Sequence, residues 1–153
     1  MAITEQDLID FASSAAKAGA SETELRAAIS RAYYAAFHAL VPFANKLPRS
    51  RVCPRDLNRV NHSELRERLT EWRTDDVSPQ LKSMTATKST LWRAVEAACN
   101  TRVMADYRMG NEVGLAEAQT QVERVKRILR QAKQIQAEID RDKVDVSPAD
   151  RVR

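Results

Sequence analysis

Two histidines and a few arginines and tyrosines hold most of this chain's capacity for chemistry. Arg31, Tyr34 and His38 recur at i, i+3 and i+7, so they share one stripe of a helix, with Ser30 beside them. His62 follows a proline-broken stretch, and Arg102, Asp106 and Tyr107 fall within six residues. An arginine presents a planar fork suited to phosphate or carboxylate. A histidine titrates near neutral pH. A phenol titrates near pH 10, which makes Tyr107 a poor base at neutral pH. Asp106, four residues after Arg102, is more readily an ion-paired carboxylate than a proton acceptor. Three uses compete for the Arg31–Tyr34–His38 stripe. The first is a polar joint in which Arg31 and Tyr34 bond to Asp106 or Tyr107 of a later helix. A ligand pocket comes second and a catalytic centre third.

The stripe sits on the best-patterned stretch of the chain, LRAAISRAYYAAFHAL from Leu25 to Leu40. Leu25, Ala28, Ile29, Ala32, Tyr33, Ala36, Phe37 and Leu40 recur every three or four residues, which predicts a helix with one buried face. No Gly or Pro interrupts it, and alanine favours helix. Tyr33 and Phe37 are expected in the core. Ser21 and Glu24 make a capping box at its start. Pro42 is expected to bend or end the helix near Ala44.

Around it the spacing predicts a first helix over about Thr4 to Ala18, stopped at Gly19. Residues 46–61 form a connection with Pro48 and Pro54. It carries Lys46, Arg49, Arg51, Arg55 and Arg59 against one acid, Asp56. A short helix is expected over Glu64 to Arg73, with Leu65, Leu69 and Trp72 on one face. A long one is expected over Pro79 to Tyr107, with a break near Thr85–Ser89. The last runs over Leu115 to Asp142, with a seam of Leu115, Ala118, Val122, Val125, Leu129 and Ala132. Its far end, Ile135 and Ile139, is expected to pack on another copy or a partner. The fold class is therefore all-α: an antiparallel up-and-down bundle of four long helices plus one short helix over residues 1–142. Residues 143–153 are expected to be a disordered tail.

The 153 residues suit one domain with a real core. Charged residues are 30% and hydrophobic ones 43%, and only three are glycine. The net charge of +4 and pI near 9.3 are compatible with nucleic acid without requiring it. No apolar run spans a bilayer, so no membrane partner is expected. The acidic start, MAITEQDLIDF, lacks the features of a secretory signal. Cys53 and Cys99 lack metal-ligand spacing, so reduced thiols, a cytoplasmic location, no metal and no cofactor are expected.

The segment from Leu25 to Ala39, with His62 before Ser63 and RVMADY from Arg102 to Tyr107, resembles the HEPN superfamily of helical nucleotide-binding domains. It is similar to the branch with an SRAYYAAFHA-type helix, over about residues 21–140. The resemblance implies a bundle of four to five helices, often a homodimer and often linked to toxin–antitoxin or defence systems. There the partner is commonly a small nucleotidyltransferase. If the polar stripe and its partner segment bind a ligand, RNA or a nucleotide is expected at Arg31, Tyr34, His38, Arg102, Asp106 and Tyr107. Many relatives cleave RNA without a metal, through an Arg, four to six residues, and a His near the end of the later long helix. In such a cleft the His moves a proton at the ribose 2′-hydroxyl while the Arg stabilises phosphate charge. Here Arg102 matches, but Tyr107 stands where a His belongs.

The expectation is therefore a non-catalytic module that binds RNA, a nucleotide or a protein partner. The alternative is a metal-independent ribonuclease using Arg102, His62, His38 or Tyr107. Arg31 with His38 and Arg55 with His62 also fit the Arg–His pattern, each with six residues between, but outside that position. The last helix holds Arg124, Lys126, Arg127, Arg130 and Lys133, with no acid from 124 to 137. A solvated face competes there with phosphate contact.

Overall fold

The computed structural model describes residues 3–46, 62, 65, 69, 79, 83 and 85–145. Among them there are four helices and no strand. These are α1 (Glu5–Ala15), α2 (Glu22–Lys46), α3 (Thr85–Tyr107) and α4 (Leu115–Asp145). His62, Leu65, Leu69, Pro79 and Ser83 are also helical. The expected connection at 47–61, Trp72 and the tail beyond 145 lie outside the described residues.

Both early helices start on capping boxes. In α1 the Asp7 amide donates to Thr4 Oγ1 and the Thr4 amide to Asp7 Oδ2, at 3.2 and 2.8 Å. At α2 the Ser21 amide donates to Glu24 Oε2 at 2.7 Å, and the Glu24 amide donates back to Ser21 Oγ at 3.3 Å. These bonds satisfy amides that have no partner inside the helix. Between the two helices Gly19 adopts φ of +81°, a left-handed turn that a side chain would strain.

α2 is the central element and packs against α1, α3 and α4. Its buried face includes Leu25, Ala28, Ile29, Ala32, Tyr33, Ala36 and Leu40. The alanines let neighbouring backbones come close, and the larger residues fill the space between. Pro42 does not end α2, which runs on to Lys46. Proline removes one backbone bond inside a helix. Burial of Leu40 and Ala44 on the same face continues across that gap and holds the turn.

α3 is continuous through Thr85–Ser89, without the expected break. α4 extends to Asp145, so residues 143–145 are helix rather than tail. Its 31 residues span about 46 Å. Ala118, Val122, Val125 and Ala132 of the expected seam are buried, but Ile128 takes the deep position beside a half-buried Leu129. Ile135 is fully buried in this chain's own core, so it is not free for another copy. Its spacing from Ile128 and Ala132 continues the same stripe. No helix among the described residues is long and apolar enough to cross a membrane.

Candidate functional site

The functional side chains meet where α2 crosses α3. Arg102 of α3 is at the centre, its side chain 11% exposed. One terminal nitrogen, Nη2, donates to the Tyr34 hydroxyl at 2.9 Å. Its guanidinium lies over the Tyr34 ring at 5.4 Å and the Tyr107 ring at 5.3 Å, so two aromatic faces flank the cation. Asp106 Oδ2 lies 2.6 Å from Arg102 Nε, one helical turn along. That oxygen sits off the axis of the N–H, and the buried Nε finds no aligned acceptor among the described residues. The contact is therefore an ion pair and not a well-formed hydrogen bond. Ser30 Oγ donates to Asp106 Oδ1 from α2. Burial by itself would lower the pKa of Arg102. The Asp106 carboxylate outweighs it, with Tyr34 and Tyr107 adding, and the net direction is upward. Arg102 is thus a fixed cation.

Next to it His62 packs among rings. Its imidazole centroid is 4.7 Å from Phe37, 5.3 Å from Tyr33 and 6.3 Å from Tyr34. His62 Nδ1 and the Tyr33 hydroxyl are 2.9 Å apart. Burial, and after it the Cys99 thiol, push the Tyr33 phenol well above its ordinary value. The phenol keeps its proton, and its hydroxyl lies against both His62 Nδ1 and the Cys99 thiol. Burial, with Arg102 nearby, lowers the pKa of His62 from 6.5.

The sign of the resulting pH dependence follows. A histidine whose folded pKa is depressed contributes stability that is complete above the unfolded value of 6.5. The contribution is lost as pH falls toward the lower folded value, where the imidazole must charge beside Arg102. Thermal melts between pH 7 and pH 5 are therefore expected to fall more steeply for the wild type than for His62→Asn. That variant keeps an acceptor for Tyr33 and removes the titration. Parallel profiles would contradict this assignment.

The α2–α3 joint is also clamped at its end. Arg26 Nη1 donates to the Ala105 carbonyl in the last turn of α3 at 2.6 Å, and Nη2 to the Asn111 carbonyl in the turn that follows. Glu22 holds Arg26 at 2.7 Å.

The structure divides the residues expected from sequence. Tyr34, Arg102, Asp106 and Tyr107 come together, with Tyr107 still 69% exposed. His62 joins them through Tyr33 and Tyr34. Arg31 does not pair with Asp106: it is exposed and faces an open groove with His38, on the other side of Tyr34. Residues 30 and 31 point about 100° apart on a helix, and α3 lies on the Ser30 side, so Ser30 takes Asp106. His38 is exposed and reaches the joint through the rings of Phe37 and Tyr34, with centroids 5.6 and 6.5 Å away. Arg55 lies outside the described residues. Sequence reasoning missed Ser30 and the Tyr33 hydroxyl as site groups, and it missed Arg26. Ser30 was legible as a residue one register step from the stripe. Tyr33 was read only as a core ring.

Among the described residues no three His, Cys, Asp or Glu side chains gather as metal ligands do. Comparison with protein-family models, curated proteins and solved structures finds no match to this chain.

Proposed function

We propose that the chain is a HEPN-like antiparallel bundle of four long helices and one short one that binds RNA, a nucleotide or a protein partner without cleaving RNA. The observation that carries this reading is the occupancy of the two groups that proton and phosphate chemistry would need. His62 Nδ1 is held by the Tyr33 hydroxyl, and burial with Arg102 nearby lowers the ring's affinity for a proton. Arg102 is committed to Tyr34 and Asp106. No histidine stands at the Tyr107 position to replace His62. The short helix of the bundle is supported by helical, buried Leu65 and Leu69. The resemblance favours a homodimer and a toxin–antitoxin or defence setting, with a nucleotidyltransferase-type protein as the alternative partner in the cytoplasm.

One observation favours the second reading, a metal-independent ribonuclease. His62, His38 and Arg102 all face the Tyr34 ring, at 6.3, 6.5 and 5.4 Å. Purified protein incubated with labelled RNA in EDTA separates the two. The expected result is a retarded, intact RNA. Cleavage leaving a 2′,3′-cyclic phosphate, abolished by His62→Ala or by His38→Ala, would establish the nuclease instead.

A further inference from the structure

Beside the joint an open groove runs between α1 and the exposed edge of α2. One part holds about 580 Å³ against Arg31, Tyr34, His38 and Thr4. A second, of about 320 Å³, continues past His38 and Pro42 to Lys133 and Gln136 of α4. Both parts share Glu5 and His38, so they meet there.

Arg31 is exposed and has no hydrogen bond or ion pair among the described residues, although Ser30 and Tyr34 beside it are engaged with α3. Lys133 is likewise exposed, in a stretch of α4 without an acid from 124 to 137. Between the two cations stand two flat faces: Tyr34, whose hydroxyl is fixed by Arg102, and His38, tilted 32° to it. The one opposing charge lining the groove is Glu5.

We propose that this groove is a track for a single-stranded nucleic-acid backbone. Arg31 and Lys133 hold phosphates at its two ends, and a base lies against the Tyr34–His38 edge between them. The inference rests on the RNA-binding reading above and gives it a location outside the Arg102 joint. From Arg31 to His38 α2 rises about 10 Å, room for more than one nucleotide of a strand. The walls come from α1, α2 and α4, and they offer side chains at the scale of single nucleotides. A positively charged groove with stacking faces is the common means of holding single strands without reading sequence. Glu5 opposes the ligand's charge where the two parts meet, which gives the proposal a signature of sign.

The test is fluorescence anisotropy of a labelled ten-nucleotide oligouridylate with the full chain at 50, 100 and 200 mM salt. Arg31→Glu and Lys133→Glu are each expected to weaken binding about tenfold at 50 mM. Each should also flatten the salt slope by about 0.7 per lost phosphate contact. Glu5→Gln is expected to tighten binding about two- to threefold. Lys17→Glu, an exposed charge reversal outside the groove, should leave it unchanged. A deoxythymidine decamer should bind within about threefold, because the track reads backbone and ring faces.

The proposal is overturned if the wild type binds no oligonucleotide at 50 mM salt, or if Lys17→Glu weakens binding as much as Arg31→Glu. Failure to bind the deoxythymidine decamer overturns it too. Displacement by poly-glutamate at equal charge assigns the groove to an acidic peptide and also overturns it. Binding that ignores Arg31→Glu and Lys133→Glu but is lost in Arg102→Met removes the groove while leaving the RNA-binding module standing.

Discussion

Asp106→Ala is expected to destabilise the protein by about 3 kcal/mol, the low end for removing one partner of a buried ion pair. Such a loss is a large fraction of the 5–15 kcal/mol typical of a domain. The variant leaves Arg102 charged, 11% exposed, with its carboxylate 2.6 Å away deleted. It also leaves Ser30 Oγ without its acceptor. The hydroxyl can turn back to the carbonyl four residues earlier, a bond that serine makes readily in helices. The guanidinium has no such alternative: the Tyr34 and Tyr107 rings on either side offer π faces and one hydroxyl, not a counter-charge. Asp106→Asn, which keeps an acceptor but no charge, should lose about half as much. Arg102→Met combined with Asp106→Leu should come within about 1 kcal/mol of the wild type, because apolar pairs of similar size often replace buried ion pairs without penalty. Urea midpoints at constant slope measure all three, and the double-mutant cycle isolates the pair. A loss below about 0.5 kcal/mol for Asp106→Ala would mean that water screens the contact as it does at a surface.

That pair also shows which parts of the site were readable in advance. The i, i+4 spacing of Arg102 and Asp106 was enough to expect an ion pair within one helix. The expected link from Arg31 to Asp106 failed, because helical periodicity ranks residues around an axis but does not say which flank faces which neighbour. α3 lies against the flank carrying Ser30 and Tyr34, and a rotation of one residue sends Arg31 to the groove. The Tyr33–His62 bond was illegible for a different reason. It joins residues 29 apart through a segment whose path no local pattern specifies. What was legible there was only that a buried phenol must find a partner.

For the fold, the helices with strong caps and periodic faces were the readable ones. The Ser21–Glu24 box is formed as expected, whereas the Thr4–Asp7 box went unread because Asp stands in place of the usual Glu or Gln. Pro42 was given local weight that burial of Leu40 and Ala44 overrode, and α3 runs unbroken through Thr85–Ser89. The end of α4 was placed three residues short because the polar sequence after Ile139 carries no periodic signal, although a helix that is already nucleated continues at little cost.

Gln121→Ala is expected to cost about 3 kcal/mol, close to Asp106→Ala, though it acts where α3 packs on α4 and not in the α2–α3 joint. Gln121 is the fully buried polar side chain of the described core, at 0% exposure. Its Nε2 donates to the Ala98 carbonyl of α3 at 2.9 Å, and its Oε1 accepts from Arg124 at 2.6 Å. Arg124 reaches Thr101 of α3 more weakly, at 3.4 Å. Truncation to alanine removes both bonds and opens a void between α3 and α4, so the transfer, cavity and hydrogen-bond losses act together. Gln121→Leu separates them. Leucine fills nearly the same volume, and Arg124, which is only half-buried, can swing its charge to water. The Ala98 carbonyl lies inside α3, where the backbone ladder already supplies an acceptor's first partner, so losing the second is tolerable. The leucine variant is therefore expected to lose about 1 kcal/mol, with both read from denaturant midpoints. Equal losses for leucine and alanine would place the stabilisation in the hydrogen bonds. A loss confined to alanine places it in packing, with Gln121 then fixing the register of α4 against α3 and so the height at which Lys133 meets the groove.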